Sequence, residues 1–273
     1  MTVQAATGGT AVPPIVLEIE ASQRRRGSIF RMVFILTWIV VLAAVGVFLI
    51  VTVGVNTWFL QEWLPFIVGG VYFTLLISVI SIFIAVGLAI FGALGRLSTN
   101  PIFNGLASLY VSVVRGTPLL VQILFIFLAL PAAGIVIDAV PTGIIALSFN
   151  YGAYLTEVFR AGIQAVPGGQ VEAARAIGLP EREVMRRIVL PQAFRIVTPA
   201  VGNDFIAMTK DTALISVIGV QELLWRAQAA GRPTGQAFQT IIVAAIIYWC
   251  LTLVLSYFQA RLEKRMAAGD RVR

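Results

Sequence analysis

The sequence predicts an all-α membrane protein with six transmembrane helices. Of its 273 residues, 59% are hydrophobic and only 12% are charged, whereas soluble domains contain about 25% charged residues. This apolar excess is too large for one buried core and indicates a lipid environment. The chain also has no histidine and a single cysteine. These two counts exclude histidine-dependent catalysis, intrachain disulfides and metal sites built from histidine or cysteine clusters, so we expect neither a catalytic nor a metal site.

Six apolar segments supply the predicted helices, because a membrane-spanning helix needs about 20 apolar residues. The second segment is longer than a straight span requires. We therefore predict that the helix is broken at Gly69-Gly70, where it enters the membrane, and that it leaves the membrane near Gly92. The third is interrupted by Arg115, and Thr117 is predicted to cap a helix that begins at Pro118. The six segments are Met32–Val55, Leu64–Leu94, Phe103–Leu130, Val140–Val158, Pro199–Val220 and Ala237–Ala260.

Residues 1–31 precede the first apolar segment and have a different composition. Met1–Pro14 is small and polar and predicts a flexible tail, and four arginines follow it at positions 24, 25, 26 and 31. The first apolar segment has 24 uncharged residues, which is too long for the apolar core of a secretory signal peptide. We therefore interpret residues 1–31 as a cytoplasmic tail and the segment after it as a retained helix.

The distribution of basic residues predicts the orientation, because lysine and arginine concentrate in cytoplasmic loops. With the N-terminus inside and six alternating spans, 17 of the 20 basic residues lie on the cytoplasmic side. Only Arg226 and Arg232 lie outside, and Lys210 lies within a span. Both termini are therefore expected in the cytoplasm, and the net charge of +7 gives little support to nucleic-acid binding.

The longest polar stretch, residues 160–195, lies between the fourth and fifth apolar segments. It contains Glu172-Ala173-Ala174, then Gly178, then Ile188-Val189-Leu190-Pro191. We predict two short helices here, because Gly178 suits a left-handed cap of the first and Pro180 suits the first turn of the second. Pro191 is expected to end the second helix or to kink the entry into the next span.

This spacing resembles the EAA signature of permease subunits of bacterial ABC importers: Glu-Ala-Ala, three residues, Gly, nine residues, Ile-x-Leu-Pro. Further stretches resemble the permeases for polar amino acids, namely 115–122, 152–160, 190–195 and 210–219. The resemblance covers about Trp63 to Arg265. It implies a five-helix type I ABC importer permease core at 63–265, preceded by one extra N-terminal helix with its outer loop at 32–62. Residues 266–273 are then a cytoplasmic tail.

The resemblance also implies a function and a set of partners. It implies that the loop at 160–195 contains a coupling helix that docks in a cleft of an ATPase subunit. It also implies that this ATPase drives the permease to carry a polar amino acid by alternating access. The implied partners are ABC ATPase subunits that hold ATP and Mg, a second permease subunit (the same or a sister chain), and an extracytoplasmic amino-acid-binding protein. The implied coupling residues are Glu172, Ala173, Ala174, Gly178, Ile188, Leu190 and Pro191.

The chain itself has no ATP-binding signature. Its only lysines are Lys210 and Lys264, and neither follows a glycine-rich phosphate loop. We therefore expect it to be neither an ATPase nor another enzyme and to bind no cofactor, with hydrolysis in a partner subunit.

Polar residues inside the predicted fifth span are candidates for the transport pathway, because charges in a span are costly and face protein or water. Asn203 shares a helix face with Lys210, and Asp204 with Asp211, because positions seven apart align. These two polar stripes are consistent with contact to a zwitterionic substrate or with an internal ion-pair network.

The fourth span supplies two further candidates for the pathway. Glu157 lies three residues before Arg160, which permits an ion pair on one helix face, but it could instead contact a cationic substrate. Asn150, in the middle of the same span, is a similar candidate without a charge.

Other function classes remain as alternatives. An ABC permease for another small solute shares the same signature. An ion-coupled secondary transporter would work without an ATPase and leaves the spaced EAA loop unexplained. A channel or scaffold subunit predicts no substrate-stimulated hydrolysis, and a membrane enzyme is disfavoured by the absence of histidine and of a visible nucleophile–base pair.

Overall fold

The computed structural model describes residues 14–54 and 56–268, which are mostly helical and, within these ranges, contain no β-strand. The predicted all-α class is therefore confirmed. The chain divides into two units, Met1–Asn56 and Thr57–Arg273. The predicted flexible tail at Met1–Pro14 lies outside the described residues except for Pro14.

Among its described residues, the first unit contains one long helix, α1 (Pro14–Val53). Its 40 residues correspond to a length of about 60 Å, roughly twice the thickness of the hydrocarbon core. The helix begins 18 residues before Met32, the predicted start of the first span, and so includes part of the segment interpreted as a tail. Along one face, at spacings of four residues, Phe30 stacks on Phe34, and Phe34 contacts Trp38 in a tilted arrangement.

The second unit contains ten further α-helices among its described residues. A π-helical turn (Met185–Val189) and a 3₁₀ helix (Thr212–Ile218) interrupt them. The α-helices are α2 (Thr57–Val68), α3 (Gly70–Leu97), α4 (Pro101–Arg115), α5 (Leu119–Ala132), α6 (Ala139–Gln164), α7 (Gly168–Ala176), α8 (Glu181–Val184), α9 (Leu190–Asp211), α10 (Leu223–Gly231) and α11 (Ala237–Ala268).

The second apolar segment breaks where the sequence predicts, at Gly69 between α2 and α3. Gly70 is buried against the backbone of Leu223, so a Cβ at this position would collide with it. Helix α3 continues past the predicted exit at Gly92 to Leu97. Gly92 has a packing role: a Cβ there would collide with the side chain of Thr156, so glycine permits a close approach of α3 to α6.

The third apolar segment is two helices rather than one straight span. The axes of α4 and α5 differ by 107°. The predicted cap at Thr117 is off by one residue, since Pro118 is the N-cap of α5 and the Thr117 hydroxyl donates back to Val113 O at 2.9 Å. The bend arises because residues 116–118 leave the helical conformation before Leu119, which agrees with the exclusion of the residue before a proline from helical backbone.

Helix α6 is central, since it packs against α3, α4, α5 and α9. Two of its buried hydroxyl groups bond within the helix: Ser148 Oγ donates to Ile144 O at 2.6 Å and Thr156 Oγ1 to Gly152 O at 2.8 Å. Such internal bonding lets polar residues occupy a helix interface at low cost. The apolar core around α6 includes Ile77, Leu147, Leu155, Met208 and Ile215.

The predicted count of six spans is not confirmed. Within the described residues, three stretches are long and apolar enough to cross a membrane, or four if α4 and α5 form one broken span. Helices α6 and α9 have 26 and 22 residues, or about 39 and 33 Å, which is sufficient length. Their polar residues distinguish them from the three apolar stretches, Arg26–Phe48, Thr57–Leu97 and Ala237–Met266.

The fifth and sixth predicted segments differ from the observed helices at their ends. Helix α9 begins at Leu190 instead of Pro199, and the α-helix gives way at Thr212 to the 3₁₀ helix. Gly219 ends this 3₁₀ helix in the left-handed region, with φ +89°. Helix α11 extends beyond the predicted Ala260 to Ala268.

Candidate coupling loop and transport pathway

The first helix of the polar loop, α7, has one anchored face and one exposed face. Ala174 is 2% exposed and packs in an apolar cluster with Val166, Val184, Val189 and Ala193. Glu172 and Ala173 are exposed. The cluster therefore attaches α7 to the first turns of α9 and leaves the Glu172 side available for a partner.

Gly178 forms the left-handed turn that the sequence predicts, with φ +81°. Its N–H donates to Arg175 O at 2.9 Å, and Leu179 N donates to Ala174 O at 3.1 Å, so the carbonyl groups at the end of α7 are satisfied. Ile177, which precedes the turn, is 78% exposed. An apolar side chain therefore projects beside the exposed face of α7.

An ion pair closes the loop across this turn. Arg175 donates from Nε to Glu181 Oε1 at 2.6 Å and from Nη2 to Glu181 Oε2 at 3.1 Å. The hydrogen bonds from Arg175 hold the pKa of the Glu181 carboxyl below its usual range. Both side chains are exposed, so we interpret the pair as fixing the geometry of α7 and α8 rather than as a main source of stability.

The second helix of the loop continues into α9 through a π-helical turn. Pro180 is its N-cap, one residue before the predicted helical position. The turn at Met185–Val189 comes immediately before Leu190 and Pro191, where the proline lacks an N–H and its ring excludes regular α-helical bonding. Pro191 therefore does not end the helix, which continues through the π-helical turn into α9.

The remaining coupling candidates lie on this continuation. Ile188 is half-buried, whereas Leu190 and Pro191 are exposed. Gln192 Nε2 lies 2.6 Å from Gln170 Oε1 and 2.9 Å from Ile188 O. Its side chain is thus a second connection between α9 and α7.

Glu157, a candidate for the pathway, lies between two arginines. Its Oε1 accepts from Arg96 Nε at 3.1 Å and its Oε2 from Arg160 Nη2 at 2.7 Å. Arg96 Nη1 also reaches Ser108 Oγ, and Asn104 Nδ2 donates to Arg96 O at 2.8 Å. The predicted Glu157–Arg160 pair is present, and Arg96 extends it to α3 and α4.

Asn150 is 6% exposed and bonds to a glutamine at the start of α5. Its Nδ2 donates to Gln122 Oε1 at 3.0 Å. Gln122 Nε2 in turn lies 2.7 Å from Val114 O, 3.0 Å from Thr117 O and 2.8 Å from Thr117 Oγ1. Asn150 therefore supports the bend between α4 and α5.

The two polar stripes on α9 have different surroundings. Asn203 and Lys210 are exposed, whereas Asp204 and Asp211 are half-buried. Asp211 Oδ2 accepts from Tyr151 Oη at 2.7 Å. One stripe therefore faces outward from the described helices, and the other faces α6.

Sequence analysis missed several residues that bind these candidates. Arg96, Gln122 and Tyr151 each contact a candidate from a different helix, and no local pattern relates them. It also missed Glu222, which is fully buried and accepts from Leu224 N at 3.0 Å, Trp225 N at 2.7 Å and the hydroxyl of Tyr248. Its only local signal is an acidic residue at the N-terminus of α10.

Comparisons with known proteins agree with this arrangement. The family described as binding-protein-dependent transport system inner membrane component matches residues 85–268. The chain is 42% identical over 207 residues to the L-cystine transport system permease protein TcyB of Bacillus subtilis, covering 76% of this chain and 88% of that protein. It is 39% identical over 208 residues to the arginine transport system permease protein ArtQ of Bacillus subtilis, covering 76% and 95%.

A solved structure shows the same fold. This crystal structure of an amino acid ABC transporter with histidines aligns with a TM-score of 0.74 and 38% identity, covering 77% of this chain and 99% of that chain. The predicted type I permease fold is therefore confirmed. By the extent of the family match and the identity of its relatives, the chain belongs to the binding-protein-dependent inner membrane components, the permease subunits of ABC importers.

Proposed function

We propose that this chain is the permease subunit through which an ABC importer carries a polar amino acid across the cytoplasmic membrane by alternating access. The family membership supports the transport role. The relatives named for L-cystine and arginine transport support an amino acid as substrate. A permease for another small solute is the alternative, since no described contact selects among substrates.

The energy for transport comes in this proposal from separate ATPase subunits that bind ATP and Mg. The observation that carries the coupling role is the two-sided packing of α7: Ala174 attaches the helix to α9, while Glu172 and Ala173 face away. A docking partner that moves α7 would therefore move the base of α9. The connection between α7 and α9 is completed by the other coupling residues, Gly178, Ile188, Leu190 and Pro191.

The outward stripe of α9 supplies the proposed contacts with substrate. Asn203 and Lys210 are exposed on a helix of a membrane protein, where polar groups face a pathway or a partner subunit. Asp211 supports this helix through Tyr151, and Asp204 lies beside it on the inner stripe. Glu157 and Asn150 have structural partners, so we assign them positioning roles at the edge of the pathway.

The remaining parts of the proposal concern partners and orientation. A second permease subunit, of the same or a sister chain, completes the pathway, and an extracytoplasmic amino-acid-binding protein delivers the substrate. The positive-inside distribution supports a cytoplasmic position for both termini and for the loop at 160–195. In this proposal residues 1–31, the later part of which is helical from Pro14 onward, and residues 266–273 are cytoplasmic and flank the rest of the extra N-terminal helix and the core at 63–265.

Cysteine cross-linking tests the coupling role. Cys250 is the only cysteine in the chain, so Cys250→Ser provides a background without thiols. Ala173→Cys should cross-link to a cysteine in the ATPase cleft, because Ala173 is exposed. Ala174→Cys is the matched control and should not, because Ala174 is buried. Equal cross-linking at both positions, or none at either, would contradict the docking of α7.

Reconstitution tests the transport role. Vesicles that contain the chain with its ATPase and binding protein should accumulate a polar amino acid only when ATP is present. Uptake by the chain alone, driven by an ion gradient, would instead support a secondary transporter.

A further inference from the structure

Helix α9 contains one turn at which regular helical bonding is disturbed twice. Pro199 lies inside the helix and has no N–H, so the α-helical hydrogen bond that an N–H at this position would make is missing. The hydroxyl of the preceding residue, Thr198, donates to Phe194 O at 2.6 Å, and such bonds often bend helices. The direction of α9 beyond this turn is therefore fixed less firmly by its own backbone than in an uninterrupted helix.

A glutamine of α11 contacts α9 at this turn. Gln259 Nε2 donates to Pro199 O at 3.0 Å and to Glu263 Oε1, one turn along its own helix, at 2.9 Å. The amide therefore uses both of its N–H groups. Gly202 provides the space for it, since a Cβ at this position would collide with Gln259 Oε1. The glycine thus lets the amide reach the backbone of α9.

The apolar packing around this contact is incomplete. A cavity of about 180 Å³ lies between α9 and α11 and borders both Gly202 and Gln259. Its other walls include Phe205, Leu255 and Leu262, and side chains that line a cavity lose van der Waals contacts on that side. The Gln259 amide therefore supplies a directional contact at a point where side-chain packing alone defines the position of α9 only weakly.

The turn at Pro199 separates two parts of α9 that have different attachments. Before it, Ala193 packs in the cluster that contains Ala174 of α7. After it come Asn203 and Lys210, the exposed polar stripe. Lys210 is 11 residues, or about 16 Å, beyond Pro199, so a change of about 10° in the helix direction at this turn would displace it by about 3 Å. This displacement is as long as a hydrogen bond and would remove a contact with a substrate.

We propose that Gln259 is a positioning residue for transport. By holding α9 at Pro199 it directs Asn203 and Lys210 toward the pathway, and it acts through the helix without contacting the substrate itself. This role rests on the proposed function, which assigns the substrate contacts to this stripe. Hydrogen bonds between membrane helices are individually weak, so the expected effect of losing this one is a misdirected stripe rather than an unfolded chain.

Labelling of the stripe tests the position of α9. In the Cys250→Ser background, Asn203→Cys is reacted with a maleimide in the complete transporter with its ATPase subunits. We expect the labelling rate to change about fivefold when Gln259→Met is added, which keeps the length of the side chain but removes the amide. Arg261→Met is the matched control, because Arg261 lies on the same helix and stacks on Tyr257 of that helix. An unchanged rate in Gln259→Met, or an equal change in both variants, would overturn the proposal.

The stoichiometry of transport tests the consequence. The number of ATP molecules hydrolysed per amino acid transported is measured in vesicles that also contain the binding protein. A loss of folded protein lowers hydrolysis and uptake together, whereas a misdirected stripe lowers uptake alone. We expect this ratio to rise about fivefold in Gln259→Met and to stay constant in Arg261→Met.

The two measurements together separate failure of this role from failure of the proposed function. An altered labelling rate with a constant ratio would overturn the role in transport, because α9 would then shift without consequence. If the unmodified chain transports no amino acid, the proposed function fails, and labelling alone decides whether Gln259 holds α9.

A pair of substitutions keeps the test valid if Gln259→Met does not fold. Gly202→Ala should displace the amide and raise the same ratio. In a Gln259→Ala background the added methyl group has free space, so Gly202→Ala should have no further effect and the two substitutions should be non-additive. Strictly additive effects would show that Gly202 and Gln259 act independently and would overturn the proposal.

Discussion

Arg96 Nε and Glu157 Oε1 lie 3.1 Å apart, although the two residues are separated by 61 positions in the chain. Arg160 occupies the other carboxylate oxygen of Glu157. The pair joins the end of α3 to the end of α6, and the two side chains are only 29% and 18% exposed. The Glu157 carboxylate therefore links the two helices. Because both of its oxygens already accept hydrogen bonds, little acceptor capacity remains for a mobile substrate.

Glu157→Gln should therefore destabilise the chain. The neutral amide cannot accept from both arginines with the same strength, and charge-assisted hydrogen bonds contribute about 1.5–3 kcal/mol each. We expect a lower midpoint of thermal unfolding in detergent and reduced uptake of every substrate. In a double-mutant cycle with Arg96→Gln, the effects should be non-additive. An altered substrate preference without a change in thermal stability would instead support a pathway role.

Gly178→Val should uncouple ATP hydrolysis from uptake while leaving membrane insertion intact. A side chain at φ +81° costs about 1–2 kcal/mol, and the turn would relax and shift α7. Gly178→Asn is the matched control, because asparagine adopts the left-handed region more readily. Substrate-stimulated ATPase activity should be lost in the valine variant and largely retained in the asparagine variant. Normal coupling in both variants would show that this turn is not required.

Tyr151→Phe should lower thermal stability, because it removes the hydroxyl that donates to Asp211 and leaves a half-buried carboxylate without this bond. The loss of one such partner costs about 1–3 kcal/mol. Tyr154→Phe is the control one turn away: Tyr154 is 41% exposed, and its ring contact with Arg115 persists in phenylalanine. Equal melting shifts in the two variants would indicate that the Tyr151–Asp211 bond contributes nothing.

Glu222→Gln should change how stability depends on pH. Burial raises the pKa of the Glu222 carboxyl, against the opposing effect of its hydrogen bonds. Folding therefore favours the protonated form, and its contribution is complete below the unfolded-state pKa of about 4.3 and decreases as pH rises through the folded-state pKa. The melting midpoint of the unmodified chain should fall relative to the glutamine variant across this interval. Glu62→Gln, at an exposed site on α2, should show no such divergence.

The loop was the part of the fold most accessible to sequence analysis. A glycine cap acts within a few residues of itself, so the turn at Gly178 could be predicted locally. The break at Gly69 was predictable for the same reason. The start of α1 was not, because a polar, arginine-containing segment is compatible with a helix and with a tail alike. The predicted end of the second helix at Pro191 was not found, because a π-helical turn accommodates the proline and the helix continues.

Features that depend on distant partners could not be predicted. The contacts that stabilise the bend after Arg115 join Gln122 to Val114 and Asn150 to Gln122, and these residues are brought together only by packing. The same holds for Glu222, whose burial depends on Tyr248 of α11. The six predicted spans include α6 and α9, whereas the described helices that are long and apolar enough to cross a membrane do not.

We expect the bend between α4 and α5 to be rigid and not to act as a hinge. A hinge needs backbone groups that can exchange partners freely, but here one glutamine amide occupies the carbonyls of both Val114 and Thr117, and Asn150 secures it from α6. Flexing at the corner would break these hydrogen bonds. We therefore expect α4 and α5 to move as one rigid body when the permease changes the side of the membrane to which it is open.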